Sequence, residues 1–339
     1  MIIKLTKSKK VAIIMSIMLS VTSANGFQII NALNVNNDLT NKIIKNEAKD
    51  INTYPFKIND QGVLIEYHGN DKKVVIPEGV KKISFGAFIN NDKIEKVVFP
   101  EGLELIDECA FYGCSSLKDI VLPESLESIG RLAFGNCINC KKVYLGEKFK
   151  SIGEFAFWKC DSLKYIDVNK DNKDYSSYKG LLYTSDYHTL KLCPSGMAKN
   201  IRLIDSTKVI GEYAFFDCKN VESVYMTGFS PVTISDSAFY GCENLKDVKI
   251  DSGIKEIGSC AFAECKSLTE FTVGDKVKSI GSSAFLKCTS LNKVKFLPKN
   301  IEIGHNLFAL CTQRILVSAE KGSSGYDYVK KHPKQLRLV

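Results

Sequence analysis

Twelve cysteines and four histidines are the side chains of this 339-residue chain best suited to nucleophilic, redox or metal chemistry. A structural zinc site would need cysteines in paired Cys-x-x-Cys units. The chain holds one such unit, Cys137-Ile-Asn-Cys140. Nucleophilic catalysis by Cys would need a histidine positioned as its base. His68, His188, His305 and His332 are scattered, and no motif ties any of them to a cysteine. Phosphate-binding loops and helical metal-binding motifs do not occur. The sequence therefore nominates no catalytic, cofactor-binding or metal-binding residue, and the expectation is a protein that is not an enzyme.

The cysteines instead follow a period. Eight of them (Cys114, Cys137, Cys160, Cys218, Cys242, Cys265, Cys288 and Cys311) close a phrase Ile-Gly-x-x-Ala-Phe-x-x-Cys. Its Ala falls at Ala87, Ala110, Ala133, Ala156, Ala214, Ala238, Ala261 and Ala284, in steps of 23, 23, 23, 58, 24, 23 and 23 residues. A ninth copy carries Leu307 in that slot. Self-similarity at this period is the signature of a solenoid, in which each unit buries its apolar face against its neighbours. Equivalent side chains on stacked parallel strands lie about 4.8 Å apart and point the same way. A disulfide needs Cβ atoms near 3.8 Å with converging vectors. The eight cysteines are thus expected to be small buried thiols. Cys140 stands in a Leu slot and should also be core. Cys109, Cys193 and Cys260, off the column, are expected to be the exposed thiols.

One unit reads Leu117-Lys-Asp-Ile120-Val-Leu122-Pro123, then Leu126, Ile129-Gly130, Ala133-Phe134 and Cys137. Its alternating start predicts a short strand with Leu117, Ile120 and Leu122 inward, stopped by Pro123. The recurring Gly is expected to take a left-handed turn. The Ala slot should sit where two backbones approach, and the Phe slot should build a continuous aromatic spine.

These residues resemble the BspA-like (Treponema-type) leucine-rich repeat family over about residues 56–320. The resemblance implies a curved leucine-rich-repeat array on the bacterial surface or outside the cell. It implies adhesion or ligand binding and offers no catalytic motif. Asn91 in the first Cys slot, Leu307 in the last Ala slot and Cys140 in a Leu slot depart from the pattern.

The fold expected is an α/β-type repeat solenoid with short parallel strands, a β-hairpin at its N-terminal end, an inserted hairpin and a small C-terminal helical cap. Residues 1–26 read as a signal peptide: a basic stretch ending at Lys10, the apolar run Val11 to Val21, then small residues. Its removal lowers the formal charge from +8 to +4, too little for a nucleic-acid footprint. Residues 27–55 read as a polar linker. Residues 56–77 read as a capping hairpin that pairs Gly62–Ile65 with Val74–Ile76. The repeat array covers 78–313, with the inserted hairpin at about 169–200, and 314–339 form the C-terminal cap. There Ser323 or Ser324 offers an N-cap and Pro333 a stop. The two hairpins look alike, which suggests two sub-arrays.

Function is expected between the phrases. The strand positions projecting onto the concave face give the candidate ligand surface Val98, Val121, Tyr144, Tyr165 and Tyr225, although β-propensity alone also favours Val and Tyr in strands. A rival stripe on the turn side, Tyr112, Trp158, Phe216 and Tyr240, is expected to be half-buried. The expectation is an exported, monomeric, adhesin-like protein that binds proteins or glycans on host or bacterial surfaces. No cofactor, nucleic acid or membrane insertion after signal cleavage is expected. A structural spacer of the cell envelope is the alternative, and an enzyme with a pocket at the inserted hairpin is the third.

Overall fold

Each coil buries alternate residues of a short strand, as the Lys-Val-Tyr-Leu run at Lys142–Leu145 shows: Val143 and Leu145 are buried, Lys142 and Tyr144 are not. The computed structural model describes residues 50–53, 55–251 and 253–339. The signal segment 1–26 and most of the linker lie outside the described residues. A strand at Asp50–Thr53 already falls within the stretch expected to be linker, where Ile51 and Thr53 supply β-branched residues.

The chain winds as a parallel-strand solenoid. Lys142–Leu145 pairs in parallel with Asp119–Val121 on one side and Tyr165–Val168 on the other. A second parallel line, absent from the sequence reading, runs through two-residue strands such as Leu105–Ile106, Ser128–Ile129 and Ser151–Ile152. Two residues are too short to display a period. The Ala-Phe turns supply a third line. Phe88, Phe111 and Phe134 donate their N–H groups to the carbonyls of Ala110, Ala133 and Ala156 at 2.8, 2.7 and 2.9 Å.

The glycine slot works differently from expectation. Gly130, Gly153, Gly258, Gly281 and Gly304 are not left-handed. A Cβ on Gly130 would lie 2.5 Å from the Glu108 nitrogen, and one on Gly281 would lie 2.3 Å from that of Ser259. Glycine is there because successive backbones nearly touch. Positive φ falls instead on the residue before the Ala, such as Leu132 (53°) and Phe155 (56°), and two after the Phe, such as Lys159 (55°) and Leu310 (58°).

Both hairpins differ in pairing from the sequence reading. Val63–Tyr67 pairs antiparallel with Phe56–Asn59, while Lys73–Val75 joins Lys96–Val98 in parallel. The expected partners Gly62–Ile65 and Val74–Ile76 therefore sit on different lines of the solenoid. The insertion is a three-stranded antiparallel meander, Tyr175–Tyr178, Leu181–Thr184 and Thr189–Leu192, not a single hairpin. Lys179 and Gly180, both at positive φ, make its tight first turn. Thr189–Leu192 then runs parallel to Val209–Ile210, just as Val63–Tyr67 runs parallel to Lys82–Ile83. Each opening strand starts its own sub-array.

The core divides at this point. One cluster runs from Leu64 to Leu182 and the other from Leu181 to Leu336. The strand Leu181–Thr184 sends Leu182 into the first cluster and Leu181 and Tyr183 into the second. Side chains alternate along a strand, so one strand partitions both cores. At the far end, the helix Ser324–Lys331 begins at Ser323, whose hydroxyl accepts from the Tyr326 N–H at 3.2 Å. Leu336–Leu338 closes the ladder on Ile315–Ala319.

Two predictions follow from strain and partition. Leu310 is exposed and left-handed, so Leu310→Gly should stabilise the protein by about 0.5–1 kcal/mol, read as a raised denaturation midpoint. Tyr183→Ala should cost about 3–5 kcal/mol. Hydrogen exchange should then lose protection in the second sub-array at lower denaturant than in coils 83–157, whereas equal loss throughout would refute the partition.

Candidate functional site

The cysteine column has a structural task that its spacing did not disclose. Each column thiol donates to a carbonyl of the preceding coil: Cys114 to Phe88, Cys160 to Phe134, Cys242 to Phe215 and Cys288 to Phe262, at 3.2, 3.2, 3.0 and 3.1 Å. The same carbonyl also accepts a backbone N–H in its own turn, as when the Phe134 oxygen takes the Cys137 N–H at 3.3 Å. Cysteine fits because it packs as a small hydrophobe yet carries a weak donor. The departures obey the same rule. Asn91 reaches the Gly69 carbonyl at 3.1 Å in the first coil. Gln335 reaches the Phe308 carbonyl at 2.5 Å beyond the last. Leu307 fills its larger slot where the terminal helix covers it, and its N–H donates to the Tyr328 hydroxyl at 3.0 Å.

All twelve cysteines are free thiols. Cys109, Cys193 and Cys260, expected at the surface, are buried like the column, of which Cys311 in the last copy alone is half-buried. Cys109 and Cys260 are buried outside the two core clusters, in the left-handed slot before the Ala that Phe155 and Tyr213 also fill, and Cys193 is buried because it enters the Phe column. Burial pushes the Cys109 and Cys114 thiols up to about 12 and Cys311 up to about 11. A raised thiol pKa leaves thiolate scarce at any ordinary pH. An alkylating thiol reagent at pH 8 should therefore label the native chain slowly and all twelve positions after denaturation. Cys242→Ala should cost about 1–2 kcal/mol through lost packing and a lost donor.

On the strand face the sequence-nominated residues separate into two rows. Val121 aligns with Tyr144, and Tyr144 with Asp167. Tyr165 belongs to the neighbouring row, opposite Lys142. Tyr225 lies beyond the insertion, between Arg202 and Lys249. Val98, Val121, Tyr165 and Tyr225 are exposed, Val121 by 63% and Tyr165 by 53%. Tyr144 is half-buried, and its hydroxyl donates to the Glu124 carboxylate at 2.8 Å. Val75, exposed by 55% and aligned with Val98, continues the row and was missed. The signal was available, because Lys73-Val-Val75 repeats as Lys96-Val-Val98. The turn of the meander intrudes between the two parts of this face, with Gly180 against Tyr165 and its carbonyl accepting the Ile166 N–H at 3.1 Å.

The turn side carries a second feature. Its hydrogen-bond line reaches Ala156 and restarts where the Cys193 N–H donates to Ala214. Rings stack from Phe88 to Phe157 and again from Phe215 to Phe308. The expected spine is thus two stacks, because Cys193 stands where a ring would bridge them. A cleft of about 270 Å³ opens there. Phe155 meets Tyr213 and Phe216 at ring separations of 4.7 and 4.9 Å, and Trp158, Glu154 and Glu212 complete the walls. Of the rival stripe, Tyr112 is buried, and Trp158, Phe216 and Tyr240 are half-buried. His188 is not in this cleft; it pairs with Asp186 at 3.0 Å on the meander's exposed turn.

Stacked parallel coils, an Ala-Phe turn line and capped ends define a leucine-rich-repeat solenoid. The chain belongs to the BspA type leucine rich repeat family, whose description matches residues 66–179 and 193–315 in six copies. The gap between the two matched stretches holds the second and third strands of the meander. Among solved structures, a leucine rich cell surface protein from Faecalibacterium prausnitzii A2-165 is 19% identical with a TM-score of 0.50, over 82% of this chain and 96% of that one. The pneumococcal vaccine antigen PcpA is 21% identical with a TM-score of 0.52, over 79% of this chain and 77% of that one. These likenesses establish the fold. No curated protein matches the sequence. Among the described residues no helix is long and apolar enough to cross a membrane.

Proposed function

We propose that this chain is an exported, adhesin-like binding protein whose strand face docks a protein partner. The observation that carries the reading is the placement of exposed apolar side chains. Val75, Val98, Val121, Tyr165, Tyr225 and Leu316 all stand on strands of this one face. Each backbone is held by at least one parallel ladder, and those of Tyr225 and Leu316 by ladders on both flanks, so little conformational freedom is lost on docking. Aromatic and aliphatic anchors on a rigid surface are the usual centres of protein interfaces. A row of valines offers few hydrogen-bonding groups, which favours a polypeptide over a glycan at this face. The basic and apolar N-terminal residues support export, and the likeness to bacterial surface proteins supports a surface location.

Val121→Glu combined with Tyr165→Ala should leave folding intact, because both side chains project from the face. Capture of matrix proteins, mucins or bacterial cells by the native chain should fall by roughly tenfold or more in the double variant, as expected for hot-spot residues. Unchanged capture would refute this face. Tight retention on the producing cell's own wall without any captured partner would instead favour an envelope spacer.

A further inference from the structure

We propose that the turn-side cleft at the insertion is a saccharide site, sized for one neutral sugar ring at the end of a glycan. It is separate from the strand face and does not depend on the reading given for that face.

The cleft exists because the insertion breaks the one line that elsewhere seals the turns. Phe134 donates to Ala156, but the next turn bond starts only at Cys193, and Cys193 carries no ring. The rings of Phe155, Tyr213 and Phe216 meet one another there at tilted and edge-on angles, and Phe216 also stacks on Tyr240 of the next coil at 5.2 Å. Trp158 adds a fourth aromatic wall. A cleft of about 270 Å³ is at the small end for ligand pockets and suits a single ring.

The chemistry of the walls selects the class. Aromatic faces are electron-rich and attract either cations or polarised C–H groups. Cations are already present: Arg131 lies 5.8 Å over the Phe155 ring, and Lys159 lies 4.5 Å over Trp158. A second cation would meet these charges. A purely apolar ligand would meet the charged groups of Glu154, Glu212 and Lys191 in the same cleft. A pyranose satisfies both constraints. Its C–H face lies on aromatic rings, its hydroxyls donate to carboxylates in charge-assisted bonds, and its oxygens accept from an ammonium. Glu154 and Glu212 are exposed and so can take hydroxyls without having to be uncovered. Both carboxylates also bear on Tyr213, whose hydroxyl is pushed up to about 12 by burial and by the charge and hydrogen bonding of Glu212. Tyr213 therefore stays a neutral phenol whose proton is shared with Glu212.

Trp158 is the sole tryptophan of the chain, so its emission reports on this cleft alone. The folded protein is titrated with methyl glucoside, methyl galactoside, methyl mannoside, N-acetylglucosamine, lactose and chitobiose, and with tetramethylammonium as a cationic probe. At least one saccharide should give a saturable change in Trp158 emission. Glu154→Gln and Glu212→Gln, both at exposed positions, should weaken it by roughly fivefold to tenfold through loss of charge-assisted bonds. Val121→Glu on the strand face should leave it unchanged, which keeps failure here distinct from failure of the strand-face reading. No saturable response to any saccharide would overturn the proposal. So would a response to tetramethylammonium alone, or saccharide affinity unchanged in both Gln variants.

Discussion

Everything in this solenoid depends on the Ala-Phe turn accepting and donating across coils at one fixed spacing. The Phe N–H reaches the Ala carbonyl of the next coil, and the Phe carbonyl receives the thiol of the next Cys. Each such bond is worth only about 1 kcal/mol or less. Repetition makes it decisive, because stability in a linear array sums nearest-neighbour terms. The same spacing dictates the residue types around it. A small Ala lets the carbonyl approach, and a Gly lets successive backbones pass at distances where a Cβ would collide. A ring then fills the space between, as in Phe88 on Phe111 at 4.5 Å.

A turn fixed so tightly releases the rest of each coil from structural duty. Variable positions on the strand face keep their place whatever they carry, so they can be apolar at Val75 and Val121 and charged at Lys249 and Lys295. Charges beside this face also settle into coil-to-coil patterns. Glu95 pairs with Lys72 and Lys118 at 2.9 and 2.5 Å, and Glu222 with Lys199 and Lys246 at 2.6 and 2.7 Å. Hydrogen bonds and charge from the flanking lysines hold both carboxyls down to about 2. These groups are open to solvent, so they order side chains along the face more than they stabilise the fold.

What the sequence disclosed follows from what a period can encode. The Phe column was legible because it recurs in every repeat copy and the Cys column because it recurs in all but the first, and so was burial of every column thiol except Cys311. The two-residue strands were not, since no alternation fits in Ser128-Ile129. The glycine slot was misread because glycine serves both positive φ and close approach, and only coordinates separate the two. Cys109 and Cys260 looked exposed by being off the column, yet both are buried among the turns, outside the two core clusters. In the candidate surface, Val98, Val121, Tyr165 and Tyr225 were read correctly as outward-facing, while the tie of Tyr144 to Glu124 depends on a residue one coil away. A pocket at the insertion was among the readings, but its turn-side place and aromatic walls were not, because they come from an absent ring and not from a motif.

That absent ring links the long step to the architecture. Tyr67 and Cys193 hold equivalent places: each follows four residues after the start of an opening strand and donates its N–H to the first Ala of a sub-array, Ala87 or Ala214. Tyr67 lies on Phe88 at 5.1 Å and so extends the first stack to its end. A ring at position 193 would join the two stacks and crowd the space between Phe157 and Phe215. With cysteine there, Leu181–Thr184 becomes the wall between two cores, and the neighbouring rings are free to face one another. The insertion therefore does two things at once. It opens a second array with the same device that opens the first, and it sets Phe155 against Tyr213 and Phe216 where the two ring stacks fail to meet.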